Sequence, residues 1–138
     1  FIYLIKPKKI FLGEKDMQQL KIIQHFVKKN HPKINVVGCK TIREKNGIAC
    51  SSRNALLNDC ELKIASNVYN FLKNKKKSIR NSKKLYFLKK EIIKLGVRKI
   101  DYLEILDINK LIKPFKKKSY FRIFIAYYLG TTRLIDNI

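Results

Sequence analysis

Cysteine is scarce in this 138-residue chain, and long apolar runs are missing from it. Its three cysteines, Cys39, Cys50 and Cys60, have neither CxxC spacing nor histidines arranged for zinc. An odd, unpatterned set of thiols is typical of a reducing compartment, so we expect a cytoplasmic location. A nucleophilic pair of Cys50 and His31 is conceivable, but nothing in the sequence supplies its surroundings. Without a run of about 18 apolar residues, we expect no transmembrane helix and no membrane partner.

Acidic residues are also few: 10 Asp and Glu stand against 32 Lys and Arg, a formal net charge of +22. Such an excess is the electrostatic footprint of a nucleic-acid binder, and several aromatic residues among the lysines could stack on bases: Tyr86, Phe87, Phe115, Tyr120 and Phe121. Against this interpretation, the lysines are spread over every segment, only six of the 32 basic residues are Arg, and no recognised nucleic-acid motif is present. A basic nucleic-acid-binding protein is therefore the alternative function, and we expect no specific nucleic-acid partner.

The first of two informative segments is a strand, a glycine and a helix in succession. The apolar run Ile10-Phe11-Leu12 is followed at once by Gly13, which predicts a buried strand that ends in a turn. Asp16 can cap the next helix, with Gln19 in the reciprocal capping-box position. The spacing predicts an amphipathic helix from about residue 16 to residue 29, with an apolar stripe of Leu20, Ile23 and Val27.

The turn after this strand has the groups that bind phosphate. Lys15 and the first helical N–H groups follow the carboxyl end of the strand, where open α/β sheets bind their ligands. Residues 34–38 predict the next strand, and a helix between two such strands implies a right-handed crossover with parallel pairing. Taken alone, the residues also allow a plainer interpretation, in which Gly13 only turns the chain, Asp16 and Gln19 only cap the helix, and Lys15 is one lysine among many.

The second segment runs from Thr41-Ile42-Arg43-Glu44 through Gly47 to Cys50-Ser51-Ser52-Arg53-Asn54. Two adjacent hydroxyls and one guanidinium suit a triphosphate, because arginine keeps its charge and its fork can bond two oxygens together. The plainer alternatives are a helix cap for the two serines and a surface ion pair for the arginine.

The order, spacing and flanks of these segments resemble the pantoate–β-alanine ligases (pantothenate synthetases). That family belongs to the nucleotidyltransferase-like α/β superfamily and activates a carboxylate as an acyl-adenylate. The elements Asp-Tyr-Leu-Glu (residues 101–104) and Gly-Thr-Thr-Arg-Leu-Ile-Asp-Asn (residues 130–137) are similar to elements near the carboxyl terminus of the family. The resemblance covers nearly the whole chain and is weakest across residues 73–84 and 110–120.

The resemblance implies an ATP-dependent ligase with ATP, pantoate and β-alanine as its small-molecule partners. It implies that ATP is contacted by Gly13, Glu14, Lys15, Asp16, Ile42, Cys50, Ser51, Ser52 and Arg53. Gln19 would hold pantoate, and Asp16 would suit a ribose hydroxyl. Lys15, Ser51 and Arg53 are the expected catalytic residues, through their contacts with the phosphates. Mg²⁺ is implied by the ATP chemistry, without assigned ligands.

These observations predict an α/β fold in two domains. Residues 1–50 would form the end of a Rossmann-like, nucleotidyltransferase-type parallel-sheet domain that binds ATP and pantoate. Residues 51–138 would form a small α+β lid domain, with two helices on a short antiparallel sheet. One helix would be capped by Asn58 or Asp59, and the other would end at Gly96. The strands are expected at residues 100–107, at residues 121–128 and after Gly130.

The chain starts with Phe1 and carries no His-x-Gly-His type signature, because His25 and His31 do not have its spacing. We therefore expect a carboxyl-terminal portion of a ligase that is a homodimer when full-length. Alone, this portion would be inactive and would leave its first strands without neighbours. A split or degenerate enzyme, and a non-catalytic interaction module in which the lid is only a scaffold, are the alternatives.

Salt dependence separates the ligase from the nucleic-acid binder. We expect the chain to bind nucleic acid weakly and without sequence preference, and to lose that binding steeply as salt increases, because scattered lysines neutralise phosphates without reading bases. A salt titration with two duplexes of unrelated sequence measures this. A preference for one duplex that persists at physiological salt would favour the nucleic-acid alternative.

Overall fold

The computed structural model describes residues 2–76, 83–108 and 120–138, with only the backbone for Lys83 and Lys84. The chain divides into two compact units, Phe1–Thr41 and Ile42–Ile138. The first unit contains α1 (Ile2–Ile5), β1 (Lys9–Gly13), α2 (Met17–Asn30) and β2 (Asn35–Cys39). The second contains α3 (Asp59–Lys75), α4 (Lys83–Lys94), β3 (Lys99–Asp107), β4 (Phe121–Leu129) and β5 (Thr132–Asn137).

The first unit is a strand–helix–strand arrangement with a parallel pair. β1 pairs with β2 in parallel, with Ile10 opposite Val36. The helix that joins them, α2, buries one side of its surface through Met17, Leu20 and Val27. The predicted parallel pairing across a helix is therefore confirmed, and the apolar stripe of the helix is the cause, because it gives α2 a face to pack.

Two details predicted for this unit are wrong. The apolar run predicted a buried strand, but Phe11 on β1 is 63% exposed, because the sheet has two strands in the described part of the chain. An exposed apolar side chain on β1 agrees with the separate expectation that the first strands of this portion alone would lack neighbours. Asp16 was expected to form a capping box with Gln19, but its side chain makes no capping hydrogen bond. A 3₁₀ turn, Glu14–Asp16, precedes α2 and leaves Asp16 at φ −96° and ψ 59°, outside the extended backbone that side-chain capping uses.

The second unit is a three-stranded antiparallel sheet with the strand order β3-β4-β5. Its apolar core combines side chains from both helices and all three strands, and its fully buried members include Leu72, Ile92, Ile123, Ile125 and Leu129. Burial of this apolar surface is what holds the helices to the sheet. The prediction of an α/β chain with a parallel pair followed by a small antiparallel sheet is confirmed.

The ends of the helices follow from local sequence. Asn58 caps α3: its side chain accepts a hydrogen bond from the N–H of Glu61 at 2.9 Å, and the carboxylate of Glu61 accepts one from the N–H of Asn58 at 3.0 Å. This reciprocal pair satisfies two helical donors and selects Asn58 over Asp59 as the cap. After α4, Gly96 has φ +105°, in agreement with its predicted place at a helix end.

The compact units divide after Thr41, earlier than the predicted boundary after Cys50. The reason is local, because residues 42–50 bond among themselves and to elements of the second unit. Residues 77–82 and 109–119, including Phe115, lie outside the described residues, so the loop predicted across residues 73–84 is described only at its ends. None of the helices in the described ranges has the length and hydropathy to cross a membrane.

Hydrogen exchange should differ sharply between β1 and β4. β1 belongs to a two-stranded sheet with half-exposed side chains, whereas β4 is the central strand of the second sheet and buries Ile123 and Ile125 completely. We expect amides at residues 10–12 to exchange at least about tenfold faster than those within β4, because local opening of a sparsely packed element costs less than opening a core strand. Exchange measured on the intact chain tests this. Protection of residues 10–12 equal to that of β4 would contradict it.

Candidate functional site

The first group of predicted site residues follows β1 directly. The strand ends at Gly13, the 3₁₀ turn Glu14–Asp16 comes next, and α2 starts immediately after it. Gly13, Asp16 and Gln19 are exposed, and Lys15 is half-buried. The structure therefore brings these residues together at the carboxyl end of one strand of a parallel pair, the edge at which ligands bind in open α/β sheets.

Gly13 is not required to be glycine by anything in the described chain. Its φ of −68° is open to any residue, and a Cβ added there would meet no atom within 4 Å. Gly38 on β2 contrasts with it, because a Cβ there would come within 3.0 Å of Leu20 on α2. The packing of α2 thus explains Gly38, whereas the open space beside Gly13 suits its predicted role in the close approach of a ligand.

The second group belongs to the other unit, where a tight hairpin leads into the predicted phosphate loop, residues 50–53. The N–H of Cys50 donates to the carbonyl of Ile42 at 3.0 Å, and an antiparallel bridge joins Arg43 to Ala49. The side chain of Ile42 is 76% exposed, and Cys50 is exposed as well. The hairpin therefore places side by side two predicted ATP contacts that are separated along the sequence.

The turn of the hairpin packs against α3. Gly47 has φ +91°, and a Cβ there would overlap the ring of Tyr69, so both the backbone and the packing require glycine. The Ser66 hydroxyl donates to the carbonyl of Asn46 at 2.7 Å. The hairpin is thus held to a helix on one side before the chain enters the phosphate loop.

The phosphate loop runs into a short 3₁₀ helix, Ser52–Leu56, that Ser51 caps. The Ser51 Oγ accepts a hydrogen bond from the N–H of Arg53 at 3.2 Å. The capping alternative for Ser51 is therefore confirmed, but this bond leaves the hydroxyl proton available for a phosphate oxygen. Ser52 and Arg53 are exposed, so their side chains are accessible for the contacts predicted for them.

Asn54 anchors the far end of the phosphate loop, and it was not among the predicted site residues. It is 8% exposed, and its Nδ2 donates to the carboxylate of Glu44 at 2.6 Å and to the carbonyl of Ala49 at 3.3 Å. Its Oδ1 is buried and finds no partner within the described ranges. In the sequence, Asn54 is distinguished only by its position directly after the two serines and Arg53. That position does not indicate which groups its side chain will hydrogen-bond.

Arg43 joins the hairpin to β5 and α3. Its Nη1 and Nη2 donate to the two carboxylate oxygens of Asp136 at 2.7 and 3.0 Å. Nη1 also donates to the carbonyl of Gly47 at 3.1 Å, and Nη2 donates to that of Asn137 at 3.2 Å. The Cζ of Arg43 lies 4.3 Å from the centroid of the Tyr69 ring, within the range of a cation–π contact.

The two arginines of the second segment differ in environment. Burial lowers the pKa of Arg43, but the hydrogen bonds and the charge of Asp136 raise it by more, so the net pKa is raised above its ordinary value. The side chains of Arg43 and Asp136 are 20% and 11% exposed. Arg43 is therefore charged and paired with Asp136 inside the unit, whereas Arg53 is exposed on the loop.

The site residues thus form two groups, one on each compact unit, and within each group they are neighbours. In the described ranges, no three His, Cys, Asp or Glu side chains lie close enough together to hold a metal ion. We therefore assign no protein ligand to the predicted Mg²⁺. The roles of the individual residues toward ATP and pantoate stay predictions.

A family model described as pantoate-beta-alanine ligase matches residues 1–138. A pantothenate synthetase from Clostridium botulinum (strain Loch Maree / Type A3) is 41% identical over 142 residues, an alignment that covers 99% of this chain and 50% of that relative. A pantothenate synthetase from Ruthia magnifica subsp. Calyptogena magnifica is 41% identical over 138 residues, covering 98% of this chain and 49% of the relative. The chain spans about half the length of the curated relatives it matches.

Solved structures agree with the sequence relatives. Pantothenate synthetase from Thermus thermophilus matches with a TM-score of 0.83 and 29% identity, over 99% of this chain and 51% of the other. Pantoate-beta-alanine ligase from Francisella tularensis, complexed with beta-gamma ATP and beta-alanine, matches with a TM-score of 0.74 and 31% identity, over 99% and 45%.

Replacement of Asn54 by alanine should destabilise the second unit. Asn54→Ala removes both donors that join the phosphate loop to the hairpin, so we expect the free energy of unfolding to fall by about 1–2 kcal/mol. Urea unfolding followed by circular dichroism measures this. The matched control is Asn67→Ala, at an exposed position of α3, which should change stability by less than about 0.5 kcal/mol. Equal effects of the two changes would contradict the anchoring role.

Proposed function

Because the chain belongs to the pantoate–β-alanine ligase family, we propose that it is the carboxyl-terminal part of an enzyme that joins pantoate to β-alanine with ATP. The observation that carries this proposal is the match of the family model over the whole chain, which includes both groups of site residues. The Francisella tularensis relative, whose structure contains an ATP compound and beta-alanine, supports the choice of substrates.

The proposed reaction has two steps. The carboxylate of pantoate attacks the α-phosphorus of ATP, which forms pantoyl-adenylate and releases pyrophosphate. The amine of β-alanine then attacks the activated carbonyl carbon, which forms pantothenate and releases AMP. Both nucleophiles can react as a free carboxylate and a free amine, so no residue of this chain has to act as a general base.

The first step concentrates negative charge on the phosphate oxygens and on the leaving pyrophosphate. Fixed cations and N–H or O–H donors aimed at that charge are therefore the main catalytic device. Mg²⁺ bound with ATP would neutralise part of the same charge. In this chain the groups proposed for the task are Lys15 after β1, and the hydroxyl of Ser51 and the guanidinium of Arg53 on the phosphate loop.

The remaining site residues would bind and orient the substrates. The open space at Gly13 would admit the nucleotide, and Glu14 and Ser52 would contribute further contacts with ATP. Asp16 would accept a hydrogen bond from the ribose, and the exposed amide of Gln19 would hold pantoate. Ile42, beside Cys50, offers an apolar surface for the adenine base.

We further propose that the first unit takes part in binding ATP and pantoate and that the second acts as a lid. A homodimer of the full-length enzyme, a cytoplasmic location and the lack of activity of this portion alone stay predictions.

Lys15→Ala should slow adenylate formation by about 10²–10³-fold, because it removes a fixed cation from the developing charge. The measurement is pantoate-dependent exchange of pyrophosphate into ATP, in the full-length protein or in this chain fused to the first half of the Clostridium botulinum relative. Lys28→Ala, at an exposed position in the last turn of α2, is the matched control and should leave the rate unchanged.

Two outcomes would contradict the proposal. An unchanged rate in Lys15→Ala would remove that residue from the site. Absence of exchange in the unsubstituted protein, folded and supplied with all substrates, would refute the ligase function itself.

A further inference from the structure

Arg43 has the chemistry of a phosphate ligand, but the donors on its two terminal nitrogens are already in use. A guanidinium has four N–H donors on its two terminal nitrogens. In Arg43 these nitrogens make four hydrogen bonds: two to Asp136 and one each to the carbonyls of Gly47 and Asn137. Contact with Tyr69 occupies one face of the group. Binding a phosphate through these nitrogens would therefore break the contacts that hold the hairpin.

The same contacts tie the phosphate loop to the sheet. Arg43 forms an antiparallel β-bridge with Ala49, the last residue before the loop. Asp136, which accepts from Arg43, belongs to β5, so the chain of contacts runs from the loop to the sheet. At the other end of the loop, Asn54 holds the carbonyl of Ala49 and the side chain of Glu44. Both ends of the phosphate loop are therefore held by hydrogen bonds within the second unit.

We propose that Arg43 and Asp136 form a clamp that positions the phosphate loop, so that both residues act on ATP through the loop and neither contacts it. The inference rests on the proposed function of residues 50–53. Its physical basis is preorganisation: a donor stabilises developing charge only if it is already placed where the charge appears. Anchoring the base of the loop restricts where the Ser51 hydroxyl and the Arg53 guanidinium can lie.

Asp136→Asn tests the clamp in the chain itself. The amide keeps the shape of the side chain but removes the charge that matches Arg43, and one of its two terminal atoms is a donor that opposes the guanidinium. We expect the backbone amides of residues 48–53 to exchange about tenfold faster or more, while amides within β4 keep their rates. Arg43→Lys, which keeps the charge and loses the fork, should loosen the same residues and serves as the second variant if Asp136→Asn does not fold.

The matched control is Asp101→Asn. Asp101 accepts from Arg133 at 2.7 Å, so this second Arg–Asp pair also reaches β5, but it comes from β3 within the sheet and does not involve the hairpin. The control should leave exchange at residues 48–53 unchanged. Combining Arg43→Lys with Asp136→Asn should add little to the larger single effect, because both remove one interaction.

The enzymatic measurement is the KM for ATP in the full-length protein, at a temperature well below unfolding. Asp136→Asn should raise it about tenfold while the KM for pantoate stays within about twofold, because the pantoate contact belongs to the other unit. Asp101→Asn should change neither. A general loss of stability would lower the active fraction and leave both KM values in place.

Each result has a separate meaning. Unchanged exchange at residues 48–53 in both Asp136→Asn and Arg43→Lys would overturn the clamp, whatever the activity. Faster exchange with an unchanged KM for ATP would overturn its positioning role. If the unsubstituted protein shows no pantoate-dependent exchange, the proposed function fails, and the hydrogen-exchange result still decides whether the clamp exists.

Discussion

The ion pair between Arg43 and Asp136 is the interaction on which the second unit's contribution to the site depends. Removing a guanidinium from water is costly, and a well-placed carboxylate together with further hydrogen bonds offsets that cost. Here a carboxylate, two carbonyls and an aromatic ring from the hairpin, α3 and β5 surround it. The conformation of the phosphate loop is therefore a property of the whole unit, because the loop's support assembles only when β5 pairs and α3 packs.

The two groups of site residues consequently depend on contacts between residues at different separations along the sequence. The turn after β1 is built by a strand, a turn and a helix that follow each other directly, so its geometry is largely local. The phosphate loop needs Asp136, which is separated from Arg43 by 93 positions. A change in the core of the second unit can thus displace the predicted nucleotide contacts from a distance, whereas the first group is sensitive mainly to α2 and its packing on β2.

This difference explains what could be predicted from the sequence. Apolar patterns predicted α2, α3, α4 and the strands, and the succession of strand, helix and strand predicted the parallel pair, because these features are encoded by neighbouring residues. Asp16 failed as a side-chain cap because a 3₁₀ turn changed its backbone angles, and β1 failed as a buried strand because burial depends on neighbours. Asn54 and Arg43 were recognisable as polar residues in a motif, but periodicity does not report which distant side chain each one meets.

The scarcity of acidic residues gives the clamp a further consequence. The chain has 10 Asp and Glu residues, and several of their carboxylates accept hydrogen bonds within the second unit. These are Glu44 in the hairpin, Glu61 in the helix cap, Asp101 on β3 and Asp136 on β5. A bare carboxylate in the unit that carries the phosphate loop would repel a polyanion. Asp136 avoids this because both of its oxygens accept from Arg43, so the pair has no net charge. The bonds proposed to place the loop therefore also neutralise the carboxylate on β5, as the proposed binding of a polyanion requires.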